Sequence, residues 1–143
     1  MMKRIAALLL VAASGASAQV ASQMAPISFD AGKSLAQSPG QWLYVPGVSG
    51  SESRFGNLLS MRCDRAARVV VVQRIGAAPS TLTIATSSVS RTLPVGGRIA
   101  ASDRLLDAIA FSRGRFLVAG GAGPVLAVPS WPEAARSIED CRN

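Results

Sequence analysis

The sequence predicts an α+β domain that is mainly an antiparallel β-sandwich or half-barrel, with a short middle helix and a C-terminal helix. Three observations predict it. Between Trp42 and Leu93 short apolar or alternating runs recur, separated by Gly, Pro, Ser and Asp, the pattern of neighbouring strands joined by tight turns. After Gly97 the apolar spacing changes to steps of three and four, which places Leu105, Leu106, Ile109 and Ala110 on one helical face. The helical spacing returns near the end, where Trp131, Ala134, Ile138 and Cys141 form a second stripe.

Taken in order, Met1 to Arg4 give a short positive start, Ile5 to Ala13 an apolar run, and Ala16-Ser17-Ala18 a small-residue cleavage site. That layout predicts a signal peptide over 1–18 and a mature chain of about 125 residues, periplasmic or secreted. The apolar run falls short of the roughly 20 residues that cross a bilayer, and no later stretch reaches that length, so no transmembrane segment is expected. Residues 19–40 are rich in Ala, Ser, Gln, Gly and Pro and read as a flexible arm. One β-rich domain is expected over 41–143.

Within it, Trp42 to Val45 reads as a strand stopped by Pro46-Gly47, and Ser49 to Ser53 as a polar loop. Leu59, Met61 and Cys63 alternate with polar residues and share one face, so Cys63 points inward. Four consecutive valines within Arg68 to Ile75 predict a strand buried on both sides. Thr81 to Ala85 and Val89 to Leu93 continue an antiparallel meander. Ser102 is placed to cap the first helix and Gly114 to end it. Arg115 to Ala119 and Val125 to Val128 predict a hairpin across Gly120-Gly121-Ala122-Gly123. Ser130 and Glu133 have capping-box spacing for the last helix, whose inner stripe includes Cys141.

The run Leu106 to Phe116, with Trp131-Pro132-Glu133 and Ile138 to Arg142, resembles a group of small exported proteins of Gram-negative bacteria to which no activity is assigned. The order of elements, from a strand ending in Cys to a terminal helix ending in Cys, is also similar in architecture to the invasion-associated locus B family over roughly Trp42 to Cys141. That resemblance implies an accessory role in the cell envelope and carries no catalytic residues with it.

Several chemistries are excluded by residue type. The chain contains no histidine, which removes Ser-His-Asp and Cys-His catalysis and every His-based metal site. No cofactor or metal is expected. Ser112, in Ala110-Phe111-Ser112-Arg113-Gly114, faintly echoes a nucleophile elbow, but it follows a helix instead of a strand and has no His partner. A Ser-Lys pair would need Lys33, the only lysine left after cleavage, in the arm. The glycines at 120, 121 and 123 have no following helix or Walker lysine and read as a turn. Cys63 and Cys141 are too distant in sequence for a C-x-x-C site; their inward faces and an exported setting predict a disulfide, two separate thiols or an interchain bridge being the alternatives.

Charge remains. The formal net charge is +7, and losing Lys3 and Arg4 leaves a basic domain whose cations are nearly all Arg, a side chain suited to oxyanions. Arg104, Arg113 and Arg115 crowd one short helix in sequence and are the candidate anion-binding or partner-binding residues. Arg91 has the inward parity of Val89 and Leu93, which requires an edge strand or a bulge. Asp103 and Asp107 are expected on a solvated face, and Glu139 and Asp140 in a local cluster with Arg136 and Arg142. Trp42, Tyr44, Phe111, Phe116 and Trp131 are expected in the core. The function expected is a non-catalytic binding or accessory protein of the envelope, its partner an envelope protein or an anionic polymer and no nucleic acid. The alternatives are a hydrolase inhibitor probing with Val48 to Arg54, and a His-independent enzyme that acts on an envelope substrate through carboxylates, serine or Arg, with Asp103 and Glu139 the carboxylates to test.

Overall fold

Strand-forming residues decide the first half of the domain, as a computed structural model that describes residues 27–143 makes plain. The expected signal peptide and residues 19–26 lie outside the described residues. Trp42–Val45 forms β1, Glu52–Phe55 β2, Leu59–Asp64 β3 and Val69–Arg74 β4, each antiparallel to the next. Leu82–Ala85 is β5, Ser90–Leu93 β6 and Arg98–Ala100 β7; Arg104–Ala110 is helix α1, Arg115–Ala119 and Leu126–Pro129 are β8 and β9, and Pro132–Asp140 is helix α2. Two antiparallel sheets result, ordered β1-β2-β3-β4-β7 and β6-β5-β8-β9, in a sandwich-like arrangement.

The inner faces of both sheets share one core. Met61 lies opposite Val72 and Cys63 opposite Val70 in the first sheet, while Ile84 lies opposite Val118 in the second, and all six are buried. Leu106 and Ile109 of α1 and Ile138 of α2 join them. Each such side chain contributes about 1.5–3 kcal/mol by leaving water. Trp42 closes one end, its ring centroid 5.4 Å from that of Phe55 and its indole N–H donating to the Pro129 carbonyl at 2.8 Å.

Helix α2 packs across β1, β2 and β3 and is bolted there covalently. Cys63 and Cys141 form a disulfide, with Cα atoms 5.4 Å apart and a sequence separation of 78. Beside it, buried Ser53 shares a hydrogen bond with Ser137 at 2.7 Å and donates to the Glu133 carbonyl at 2.5 Å. Tyr44 donates to the Asp140 carboxylate.

Several local expectations change. The supposed loop at Ser49 to Ser53 runs into β2, whose inward residues are Ser53 and Phe55; the small hydroxyl hides the strand's apolar alternation. The meander breaks after β4, because Gly76 and Pro79 interrupt the chain and β5 starts the second sheet. Asp103, not Ser102, caps α1 by accepting from the Leu105 amide at 2.8 Å. Trp131, not Ser130, occupies the cap position of α2, where Pro132 in the first turn presets the helical backbone and no side chain caps. Trp42 and Phe116 are core residues, but Phe111 and Trp131 are 82% and 44% exposed, because α1 ends before Phe111 and α2 begins after Trp131.

Residues 27–40 do not hang free as an arm. They cross the outer face of the second sheet: Ser90 of β6 donates to the Ile27 carbonyl at 3.2 Å, and Ser38 exchanges two bonds of 2.9 Å with Ala127 of β9. Ile27 packs on Ala85, Leu117 and Ala127. The segment comes so close at Gly32 that a β-carbon there would sit 2.0 Å from a Leu117 methyl.

Candidate functional site

A hydroxyl exchange sets the geometry of the loop after α1. Ser112 is buried; its Oγ donates to the Arg115 carbonyl at 2.5 Å and accepts from the Ser87 amide at 3.0 Å. In return Ser87 Oγ accepts from the Arg113 amide at 3.1 Å. The serine with a faint nucleophile signature is thus a stitch between the β5–β6 turn and the α1–β8 loop, and Gly114, with φ +75°, lets the chain turn back into β8.

Arg113 and Arg115 leave this stitched loop and meet the docked segment. Together with Phe29, Asp30, Lys33 and Ser87 they line a cleft of about 290 Å³. Lys33 pairs with Asp30 at 2.5 Å and lies 5.9 Å from the centre of the Phe29 ring. The Lys33 ammonium, hydrogen-bonded to Asp30, holds that carboxyl below the usual carboxylate range. Arg115 donates one N–H to the Leu35 carbonyl at 2.5 Å, which anchors the segment and leaves further guanidinium donors for a ligand. Three cations against one carboxylate, with a hydroxyl and an aromatic face, suit an oxyanion.

Arg104 is not part of the cleft. It is the first residue of α1, separated from Arg113 by roughly 10 Å of helix. Sequence proximity grouped the three arginines, but the helix between them sets one apart. Lys33, Phe29 and Ser87 were missed because their segment read as an arm and a turn; Ile27 and Phe29 were the apolar signal that it docks. No family model, curated protein or solved structure matches the chain. The residues themselves therefore carry the functional reading.

Several other titratable groups hold elements together. Arg91 lies on β6, an edge strand, and reaches Asp103 with two bonds of 3.1 and 2.8 Å. That contact, more than the Leu105 amide, lowers the Asp103 pKa. Asp107 is not simply solvated: Arg142 pairs with it at 2.7 Å and donates to the Ala101 carbonyl at 2.8 Å, tying α2's end to α1. Asp140 is engaged by Tyr44 instead of a local arginine, and Arg136 sits 5.0 Å from the Tyr44 ring centre. The phenol's hydrogen bond is the main cause that lowers the Asp140 pKa and raises that of Tyr44.

Two further cavities flank the fold. One of about 90 Å³ adjoins Arg74, Ser80 and Gly97; Arg74 donates to the Val118 and Pro124 carbonyls at 3.2 and 2.5 Å and pins the β8–β9 hairpin, and burial lowers its pKa. The other, about 280 Å³, runs between α1 and α2 with Phe111 and Trp131 on its walls. The expected inhibitor probe is half consumed: Val48 is fully exposed, but Ser51 and Ser53 are buried under α2. Among the described residues no three His, Cys, Asp or Glu side chains gather as a metal site, and no helix is long and apolar enough to cross a membrane.

Proposed function

We propose that the chain is an exported, non-catalytic binding protein of the cell envelope, periplasmic or secreted, whose ligand is anionic and is held in the cleft of Lys33, Arg113 and Arg115. The observation that carries this reading is the convergence of those cations, from two segments 80 residues apart in sequence, around one opening. Export is supported by the three-part N-terminus and by a disulfide, a bond that persists in oxidising compartments. A binding role is supported by a chain without histidine and by a Ser112 hydroxyl already spent on two structural bonds. The resemblance of its order of elements to the invasion-associated locus B family favours the same accessory role.

The test is calorimetric titration of the mature protein with a short polyphosphate at several salt concentrations. Binding that weakens with salt and drops about tenfold or more in Arg113→Gln/Arg115→Gln, but not in Arg104→Gln, is expected, since each charge-assisted contact contributes roughly 1.5–3 kcal/mol. Equal losses in both variants contradict the cleft. Turnover of generic ester, phosphate, glycoside or peptide substrates that disappears in Asp103→Asn or Glu139→Gln contradicts the non-catalytic reading.

A further inference from the structure

The exposed aromatics Phe111 and Trp131 stand where neither core packing nor the cleft uses them. Phe111 is the C-cap residue of α1, 82% exposed, and Trp131 the N-cap residue of α2, 44% exposed. Both line the groove between the helices, floored by Ala135 and Ile138. The fold leaves Phe111 largely and Trp131 partly in water, each at a helix end. One short loop serves both the groove and the basic cleft, giving Phe111 to the first and Arg113 to the second on either side of buried Ser112.

We infer that this surface seats the protein on an anionic lipid bilayer, with Phe111 and Trp131 entering the headgroup boundary and Arg113 and Arg115 meeting lipid phosphates. The inference rests on the reading of the cleft as an anion site and names its partner. Aromatic rings favour the interface, where an apolar body and a wet edge are both accommodated, and basic side chains near an anionic surface each contribute about a fivefold gain in partitioning. Charge complementarity selects this occupant. Asp107 in the groove is neutralised by Arg142, and Asp30 in the cleft by Lys33. That leaves Arg113 and Arg115 against Glu139 alone, on a domain whose arginines outnumber its carboxylates.

The experiment is co-sedimentation of the full mature protein with vesicles of phosphatidylglycerol and phosphatidylcholine, and with phosphatidylcholine alone, followed by tryptophan emission. The chain has two tryptophans and Trp42 is buried, so Trp131 reports insertion. The expected result is binding to the anionic vesicles only, a blue shift of emission, and a loss of about tenfold or more in Phe111→Ser/Trp131→Ser as the apolar burial is removed. Arg113→Gln/Arg115→Gln should weaken the same binding. Vesicle binding that is unaffected by Phe111→Ser/Trp131→Ser overturns the aromatic seat and leaves the anion cleft standing. Binding of polyphosphate but of neither kind of vesicle overturns the lipid partner alone. Absence of both overturns the cleft as well. Self-association that Phe111→Ser/Trp131→Ser abolishes assigns the groove to a second copy of the chain and overturns the inference.

Discussion

At the residue scale, side chains that looked like candidate chemistry are fasteners, and their titration follows. Asp103 accepts from both Arg91 and the first turn of α1. Because its pKa is lowered by the Arg91 bonds, its contribution is complete above the ordinary carboxylate value of about 3.9 and is lost as pH falls through the lower folded value. Asp103→Asn keeps a cap and gives up an exposed ion pair, at about 0–1 kcal/mol; Asp103→Ala loses the cap too, about 1 kcal/mol more. Urea unfolding of both variants checks the difference. The Tyr44–Asp140 bond titrates from two ends. The raised phenol contributes fully below its ordinary value of about 10 and loses that contribution as pH rises through its folded value, while the lowered Asp140 loses its own as pH falls through its folded value. Tyr44→Phe should therefore remove the alkaline loss and shrink the acid one, read by thermal melts across pH. Ser112→Ala, which orphans the Ser87 amide, should cost about 1–3 kcal/mol. The sequence offered Asp103 and Ser112 as residue types but not their partners, since Arg91 and Ser87 arrive from another strand and turn.

At the scale of elements, α2 and the 27–40 segment are the two pieces laid on the sandwich, and they differed in legibility. The disulfide was readable because two separate periodicities, the strand alternation at Leu59 to Cys63 and the helical stripe ending at Cys141, both turned sulfur inward. β2 was not, because its inner position is a serine whose partners, Ser137 and Glu133, lie on a helix 80 residues away. Losing either Cys should remove up to about 4.5 kcal/mol by the chain-entropy treatment, and Cys63→Ser/Cys141→Ser together should be no worse than either alone; melting temperatures of the three variants check this. The 27–40 segment was read as free because its apolar residues are few, yet Gly32 has no side chain to hold it off Leu117. Gly32→Val should lift it, raising amide exchange at Ser38 and Ala127 and weakening polyphosphate binding by removing Lys33 from the cleft, with the sandwich still folded.

At the scale of the whole molecule, the α+β sandwich was legible because strand alternation and helical stripes follow local periodicity, whereas the change of sheet after β4 depends on which faces meet in space. The cleft is likewise a product of assembly: Arg113 and Arg115 are placed by the Ser87–Ser112 exchange, and Lys33 by the docked segment. The most direct test is backbone chemical-shift mapping of the mature protein titrated with short polyphosphate. The expected result is saturable shifts confined to residues 29–33, Ser87 and Arg113 to Arg115, absent in Arg113→Gln/Arg115→Gln; shifts centred on Arg104, or spread over the outward arginines of the first sheet such as Arg62 and Arg98, contradict a built anion site.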